Sequence, residues 1–392
     1  MPHYRYLIVG GGMAADAAVR GIRERDASGS IGLVGAEPQP PYSRPPLSKA
    51  LWKGESVASI WRGTDQLDVE LQLGRTVVRL EPSSHRATDA HGVEYTFEKA
   101  LLATGGSPRQ LSGAGDDIVH FRTFADYERL RALAAPGRRI AVIGGGFIGS
   151  EIAAALALVG ATPLMIFPEQ GICERAFGSE LSRFVSDAYR ARGVEVLSGD
   201  SVRQIVAQAD GALVTTGSGR QLPVAGVVAG LGIVPNVALA ESAGLACSNG
   251  ILVDAQLRTT HPEVYAAGDV ASVFSGALGR QMRVEHEDAA LAMGRAAGLA
   301  MAGDTTPYTH LPFFYSDLFD MGYEAVGTLD ARLELVPDWK EPFREGVVYY
   351  LEAGRVRGVL LWNVWGRVDA ARALIAEGGP LRAEDLRGRI AA

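Results

Sequence analysis

Ile143-Gly144-Gly145-Gly146-Phe147-Ile148-Gly149-Ser150-Glu151 closes one apolar run and opens an Ala-rich helical pattern, and Gly10-Gly11-Gly12-Met13-Ala14-Ala15 does the same near residue 1. Both read as G-x-G-x-x-G/A within a βαβ unit. There the first glycine makes the tight turn and the second lets the backbone approach a pyrophosphate. The third small residue lets the helix pack on the strand, so that its N-terminal N–H groups face the phosphates. Two such units imply two dinucleotides. Holding two is economical when electrons pass between them, which points to an enzyme.

Working outward from the first copy, the pattern predicts a strand over 4–9, a helix over 14–24 and a strand over 30–34, with Glu37 just beyond. Glu37 follows Ala15 by 22 residues, near the ~20 expected of a carboxylate that accepts ribose hydroxyls. The alternative is a solvated loop carboxylate. The Pro-rich loop 38–49 comes next, its prolines restricting the backbone that carries Arg44 and Lys49. An apolar strand is expected over 99–104, ending in Ala103-Thr104-Gly105-Gly106.

From the second copy outward, strands are expected over 139–143 and 162–167, with a helix over 151–158 between them. Glu169 lies 20 residues beyond Gly149. Residues 194–232 alternate short apolar segments with Gly-containing turns, and Gly230-Leu231-Gly232-Ile233-Val234-Pro235-Asn236 reads as a crossing between domains. Near Ala240 the composition returns to that of the first domain. A buried strand over 264–269 should place Asp269 at its end, followed by a small-residue helix over 287–301. In the last 80 or so residues, 347–351 and 356–361 read as a hairpin around Ala353-Gly354, and 368–376 as an amphipathic helix. The expected class is α/β: two Rossmann-like dinucleotide-binding domains, 1–107 with 240–312 and 108–239, and a C-terminal α+β domain over 313–392.

At 392 residues and 47% hydrophobic, the chain has material for two or three cores. A formal charge of -7 argues against a nucleic-acid or anionic-membrane surface. The two cysteines, Cys173 and Cys247, form no C-x-x-C pair, so no dithiol redox centre, disulfide framework or metal site is expected, and each reads as an incidental thiol. No charged leader with an apolar core precedes the first strand, and no run approaches ~18 apolar residues. The expectation is a cytoplasmic protein without a membrane span.

The ordered set Pro41-Tyr42-Ser43-Arg44-Pro45-Pro46-Leu47-Ser48-Lys49, Ala103-Thr104-Gly105-Gly106, Ile143 to Glu151, Ala266-Ala267-Gly268-Asp269 and Arg283-Val284-Glu285-His286 resembles the FAD-dependent pyridine nucleotide-disulphide-oxidoreductase-like flavoproteins. Within them it is similar to the group of ferredoxin reductases and apoptosis-inducing-factor proteins, over essentially the whole chain. Phe314-Tyr315-Ser316-Asp317, Gly322-Tyr323-Glu324-Ala325-Val326-Gly327 and Leu361-Trp362-Asn363 look closer to the apoptosis-inducing-factor branch than to ring-hydroxylase reductases. Tyr315 stands where that family has Trp, which implies weaker or differently aligned stacking beside the cofactors. Residues 331–345 are short where vertebrate members carry a long polar insertion. Mitochondrial targeting is not expected, and nothing supports a cell-death role.

The resemblance implies FAD in the first site, with Gly10, Gly12 and Ala15 on its pyrophosphate, Glu37 on the ribose and Arg44 on a phosphate or the adenine side. Lys49 would approach the isoalloxazine; Val77, Thr104, Arg122, His286 and Tyr315 would line the site, and Asp269 would accept ribityl hydroxyls. The second site would take a nicotinamide dinucleotide on Gly144, Gly146, Phe147, Ile148, Gly149 and Gly232. A carboxylate at Glu169 favours NADH over NADPH, because it bonds a 2'-hydroxyl and repels a 2'-phosphate, with Arg175 positioned to offset that repulsion.

Phe147 would shield the flavin face until nicotinamide displaces it; otherwise it is a hydrophobic staple. Glu151 reads as a first-turn carboxylate favoured by the helix dipole, or, by resemblance, as the partner of Lys49. Glu285 and His286 open the small-residue helix beside the flavin and nicotinamide, where a structural histidine is the plainer alternative. Tyr315, Glu324 and Asn363 would close the cavity, or simply pack the last hairpin.

The implied function is a FAD-dependent NADH oxidoreductase passing electrons to a ferredoxin-like protein, a quinone or oxygen. The alternative is a redox sensor that holds reduced flavin with NAD bound and signals through homodimerisation. A third reading is a structural flavoprotein with no NADH reaction.

Overall fold

The computed structural model describes residues 1–111 and 118–391 and divides into two compact units. The first comprises Met1–Arg44, Val57–Ser107 and Val234–Pro312; the second comprises Pro45–Ser56, Pro108–Ile233 and Phe313–Ala392.

In the first unit, Glu70–Leu73, Ile31–Gly35, His3–Val9 and Glu94–Leu102 lie side by side as parallel strands. Glu94–Leu102 is long enough to serve two further neighbours. Its early residues pair antiparallel with Arg86–Asp89, and its last three pair parallel with Val264–Ala266. Leu7, Ile8, Leu101 and Leu102 are fully buried, which is why these strands read as unbroken apolar runs and not as alternating ones. The helices Met13–Arg23 and Glu287–Met301 pack on each other through small residues. A Cβ on Gly298 would lie 2.1 Å from the Ala18 carbonyl oxygen, so only glycine permits that approach.

Asp16, wholly buried on Met13–Arg23, accepts from Arg20 Nε at 3.0 Å, Arg62 Nε at 2.6 Å and Thr64 Oγ1 at 2.8 Å. Burial pushes its carboxyl up, but these donors outweigh that and hold it below the usual carboxylate range. The cluster pins the segment after the Pro-rich loop to the helix behind the first glycine turn.

The second unit contains a parallel sheet in the order Glu195–Ser198, Thr162–Phe167, Arg139–Ile143, Gly226–Ala229, Ile118–His120. A separate antiparallel meander runs through Val202–Gln208, Gly211–Thr216 and Gln221–Val224. The C-terminal part is a five-stranded antiparallel sheet, Phe313–Leu318, Met321–Gly327, Arg355–Trp362, Glu345–Glu352, Glu334–Glu341, with the helix Val368–Glu377 packed on two of its strands. The class expected from the sequence, mixed α/β with parallel sheets and an α+β C-terminal part, is the one observed.

Three local expectations need correction. The second helix spans Phe147–Leu158, starting four residues before the expected position, because Gly146 already serves as its extended N-cap and Gly149 lies inside the first turn. Glu151 is therefore not a first-turn residue acting on the dipole. The strand expected to run to Thr104 ends at Leu102, since Thr104 instead exchanges hydrogen bonds with Asn236: its Oγ1 donates to Asn236 O at 2.9 Å, and Asn236 Nδ2 donates back to Thr104 O at 2.8 Å. The strand expected to end at Asp269 stops at Ala266, and Gly268–Val270 forms a single 3-10 turn. Gly268 adopts a φ of +76°, which breaks the strand and sets Asp269 on the turn.

Candidate functional site

Gly10 has φ +124°, and a Cβ there would sit 2.1 Å from the Ala103 carbonyl oxygen. Gly144 repeats this in the second unit, with φ +113° and its Cβ position 2.5 Å from Gly230 O. The first glycine of each copy is thus demanded by the protein itself. The second is not: Gly12 and Gly146 have ordinary extended backbone, and a Cβ on either would meet nothing within 4 Å. Both are the N-cap of their helix, where backbone N–H groups lack intrahelical partners. Open space over unpartnered donors at a helix N-terminus fits a pyrophosphate. The third positions differ. Ala15 is buried and keeps its methyl, whereas a Cβ on Gly149 would lie 2.1 Å from Gly144 O.

Around the first glycine turn, Glu37 follows the strand Ile31–Gly35 and is held by two groups from the Pro-rich loop. Tyr42 donates its hydroxyl to Glu37 Oε2 at 2.6 Å, and Arg44 Nη2 donates to Oε1 at 2.5 Å. Arg44 also donates to Tyr42 Oη at 3.0 Å and lies 5.0 Å from the Tyr42 ring centre. Donors on both of its oxygens fix the orientation of this carboxylate. Asp269 is half-buried on its turn, and its backbone oxygen accepts from Arg283 Nη1 at 3.1 Å. Arg283 Nη2 pairs with Glu285 at 2.9 Å, and its Nε donates to Asn249 Oδ1 at 3.1 Å. His286 is the N-cap of Glu287–Met301. Burial pushes its imidazole down to about 4 against the pull of Asp269 and Asp288, so it is neutral at pH 7. Val77 is buried in the apolar core of this unit.

In the second unit the helix Phe147–Leu158 carries a buried carboxylate, Glu151. Lys49 Nζ lies 2.7 Å from Glu151 Oε1, with the two side chains 11% and 5% exposed. Two hydroxyls complete the arrangement: Ser48 Oγ donates to Oε2 at 2.6 Å, and Ser316 Oγ donates to Oε1 at 2.6 Å. Taking a carboxylate and an ammonium out of water is tolerable only when both are met this well. The Lys49 ammonium also sits 5.5 Å from the Tyr315 ring centre. Phe147, the first residue of the helix, packs its ring 5.1 Å from Phe314 and 6.1 Å from both Phe177 and Tyr323.

Beyond Thr162–Phe167, Glu169 forms an ion pair with Arg175 Nη2 at 2.6 Å. Arg175 is 84% exposed, so the pair is a surface one, open to a competing partner. Ile148 is exposed beside Phe147, and Gly232 has a φ of +77°. Arg122 belongs to the second unit, immediately before the Thr123 N-cap of Phe124–Leu133. Tyr315 and Glu324 are register partners on adjacent strands, and Glu324 Oε2 accepts from Gly366 N at 3.0 Å. The Asn363 amide is engaged within the C-terminal sheet, Oδ1 accepting from Gly322 N and Nδ2 donating to Arg344 O. The sequence reading missed Ser48, Ser316 and Asn236 as site-shaping residues. The first two adjoin Lys49 and Tyr315, and that adjacency was the available signal.

Among the described residues no cluster of His, Cys, Asp and Glu is arranged to hold a metal ion, and no helix is long and apolar enough to cross a membrane. Cys173 is buried, with Sγ 3.9 Å from Ser150 Oγ, and burial pushes its thiol up to about 12. Since thiolate is the reactive form, a disulfide reagent should titrate at most one thiol per native chain, Cys247, and both in denaturant. Fast labelling of Cys173 in the folded protein is the opposing result.

Residues 4–294 match the family model for pyridine nucleotide-disulphide oxidoreductases. The chain belongs to that family. Segments 297–341 and 336–377 of this family member match the C-terminal model of mitochondrion-associated apoptosis-inducing factor. The 5,5'-dehydrodivanillate O-demethylase ferredoxin reductase subunit of a Sphingobium species is 36% identical, across 96% of this chain and 94% of its own. Apoptosis-inducing factor 1, mitochondrial, of Dictyostelium discoideum is 33% identical, across 95% of this chain and 78% of its own. The solved covalent putidaredoxin reductase-putidaredoxin complex aligns with a TM-score of 0.91 at 28% identity, covering 98% of this chain and 95% of that one. The resemblance drawn from the motifs is thereby established. This pyridine nucleotide-disulphide oxidoreductase is of the ferredoxin-reductase-like kind.

Proposed function

We propose that the chain is a FAD-dependent NADH:ferredoxin-type oxidoreductase. The observation that carries this reading is the buried Lys49–Glu151 pair on the helix of one glycine cradle, in a chain that has a second such cradle. Gly10, Gly12 and Ala15 would hold the FAD pyrophosphate, Glu37 the adenosine ribose, and Asp269 the ribityl chain; Gly144, Gly146 and Gly149 would hold that of the nicotinamide nucleotide. The corresponding domains are 1–107 with 240–312 for FAD, 108–239 for NAD and 313–392 for the C-terminal α+β domain. Held there, FAD would supply two-electron acceptance from a reduced nicotinamide and one-electron delivery to an acceptor.

The protein's share is positioning and electrostatics. Lys49, fixed by Glu151, would supply a localised ammonium for the bound flavin and the nicotinamide amide. Phe147 would give way to the entering nicotinamide, and Tyr315, Glu324 and Asn363 would line its cavity from the C-terminal sheet. His286, neutral at the N-terminus of Glu287–Met301, presents the positive end of that helix and no fixed charge of its own. The ferredoxin-type acceptor follows from the relatives, whose names include a ferredoxin reductase subunit and a reductase in complex with putidaredoxin. Stopped-flow mixing with NADH and a panel of acceptors tests it. A ferredoxin should reoxidise the flavin faster than quinone or oxygen does; a long-wavelength band that persists for minutes with every acceptor would replace this reading by the sensor.

Coenzyme choice rests on Glu169. Its carboxylate should bond the 2'-hydroxyl of NADH and repel the 2'-phosphate of NADPH, while Arg175 softens the repulsion through the 2.6 Å pair. NADH should lead by roughly tenfold to a hundredfold in kcat/KM, the worth of one charged hydrogen bond. Glu169→Gln should bring the two coenzymes within a few-fold, since Arg175 is then free to meet the phosphate. Equal use of both by the unaltered protein would remove this role.

A further inference from the structure

Ser316 donates to the same Glu151 oxygen that Lys49 contacts, while Ser48 donates to the other oxygen. Both hydroxyl bonds measure 2.6 Å, in the range of charge-assisted O–H···O⁻ bonds, and Ser316 is 1% exposed. Ser48 has a second acceptor in the Pro45 carbonyl, but at 3.4 Å that contact is weak. The three groups come from separate stretches of the second unit: the 3-10 turn Pro45–Ser48, the helix Phe147–Leu158 and the strand Phe313–Leu318. A lone Lys–Glu contact leaves the carboxylate free to rotate about its last torsion. Donors on both oxygens remove that freedom, and with it the freedom of the ammonium.

We propose that Ser316, assisted by Ser48, is a positioning residue for hydride transfer: its hydroxyl fixes the Glu151 carboxylate so that Lys49 is presented at one place. The strand that supplies Ser316 also supplies Phe314, against Phe147, and Tyr315, whose ring faces the Lys49 ammonium. One strand thereby aligns the charged and the aromatic parts of the site. Both serines are neutral donors, so removing either changes geometry without changing the charge of the pair.

This inference rests on the role given to Lys49 above, and the test separates the two. The chain has four lysines, Lys49, Lys53, Lys99 and Lys340, so acetylation of the purified holoprotein read by mass spectrometry carries its own controls. Ser316→Ala should raise labelling of Lys49 several-fold and leave the other three unchanged, with FAD content retained. In stopped flow with NADH, Ser316→Ala should slow flavin reduction roughly tenfold with KM for NADH changed less than twofold, and Ser316→Thr should recover most of the rate. In a Lys49→Ala background, Ser316→Ala should add nothing further. Ser48→Ala should show the same pattern more weakly, which keeps the test usable should Ser316→Ala fail to fold.

Unchanged Lys49 labelling with an unchanged reduction rate overturns the proposal, as does an equal slowing in the presence and absence of Lys49. If Lys49→Ala alone reduces at the normal rate, the proposed function of the pair fails instead, whatever the labelling shows.

Discussion

Gly12→Val is expected to yield a folded protein that no longer retains FAD, whereas Gly10→Ala is expected to damage the fold itself. The two glycines are two residues apart and carry the same motif, yet the structure separates them. Gly12 has φ -94° and ψ -170°, a conformation open to any residue, and a Cβ there meets no protein atom within 4 Å. Added methyls would occupy only the space over the helix N-terminus. Two or three charge-assisted hydrogen bonds to a pyrophosphate would be lost, a loss on the order of a thousandfold in FAD affinity. Gly10→Ala would place a methyl 2.1 Å from a backbone oxygen at φ +124°, costing about 3 kcal/mol or more in folding stability. Circular dichroism melts and bound-flavin absorbance of the two variants decide the matter. A Gly12→Val protein that keeps its flavin would show that the open space is not the pyrophosphate site, and Gly146→Val applies the same test to NADH binding.

How much of this was legible in the sequence follows from how local each feature is. The glycine turns, their flanking strands and helices, and the hairpin at Ala353-Gly354 are written in short-range spacing, and they appear where that spacing puts them. Element ends were less legible. Counting the motif as a turn through Gly149 delayed the second helix to Glu151, although the third glycine is helical and serves packing, not turning. That four-residue shift moves Glu151 from the first turn, where it would act on the dipole, into the second turn, where it is buried. Its partners were hidden for a different reason. Ser48 lies 103 residues before it and Ser316 lies 165 after it, so no periodicity connects them. Pairing of Lys49 with Glu151 entered only through family resemblance. The exchange between Thr104 and Asn236 spans 132 residues and was likewise invisible, though it ends the strand that the apolar pattern would have continued.

The Lys49–Glu151 pair should also separate chemistry from stability. Glu151→Ala leaves an ammonium only 11% exposed among hydroxyls that no longer have a carboxylate to bond, and should cost about 3 kcal/mol, the lower end for breaking a buried pair. Lys49→Met with Glu151→Leu removes both charges and fills the volume, so it should recover most of that loss, because neither ion then has to be desolvated. Its two serine hydroxyls would remain to be satisfied, which sets the limit on recovery. If the pair exists for fold stability, flavin reduction by NADH should recover along with the melting temperature. If it exists to hold a charge at the reacting edge, the double variant should be stable, retain FAD and yet reduce its flavin on the order of a hundredfold more slowly, as loss of one preorganised donor would give. The second outcome is expected, because two desolvated charges add little stability over a well-packed apolar pair, whereas an ammonium held at a fixed place can act electrostatically on the reacting groups. Urea midpoints and stopped-flow reduction rates on the same three proteins measure both quantities, and a double variant that is stable and fully active would take the pair out of the chemistry.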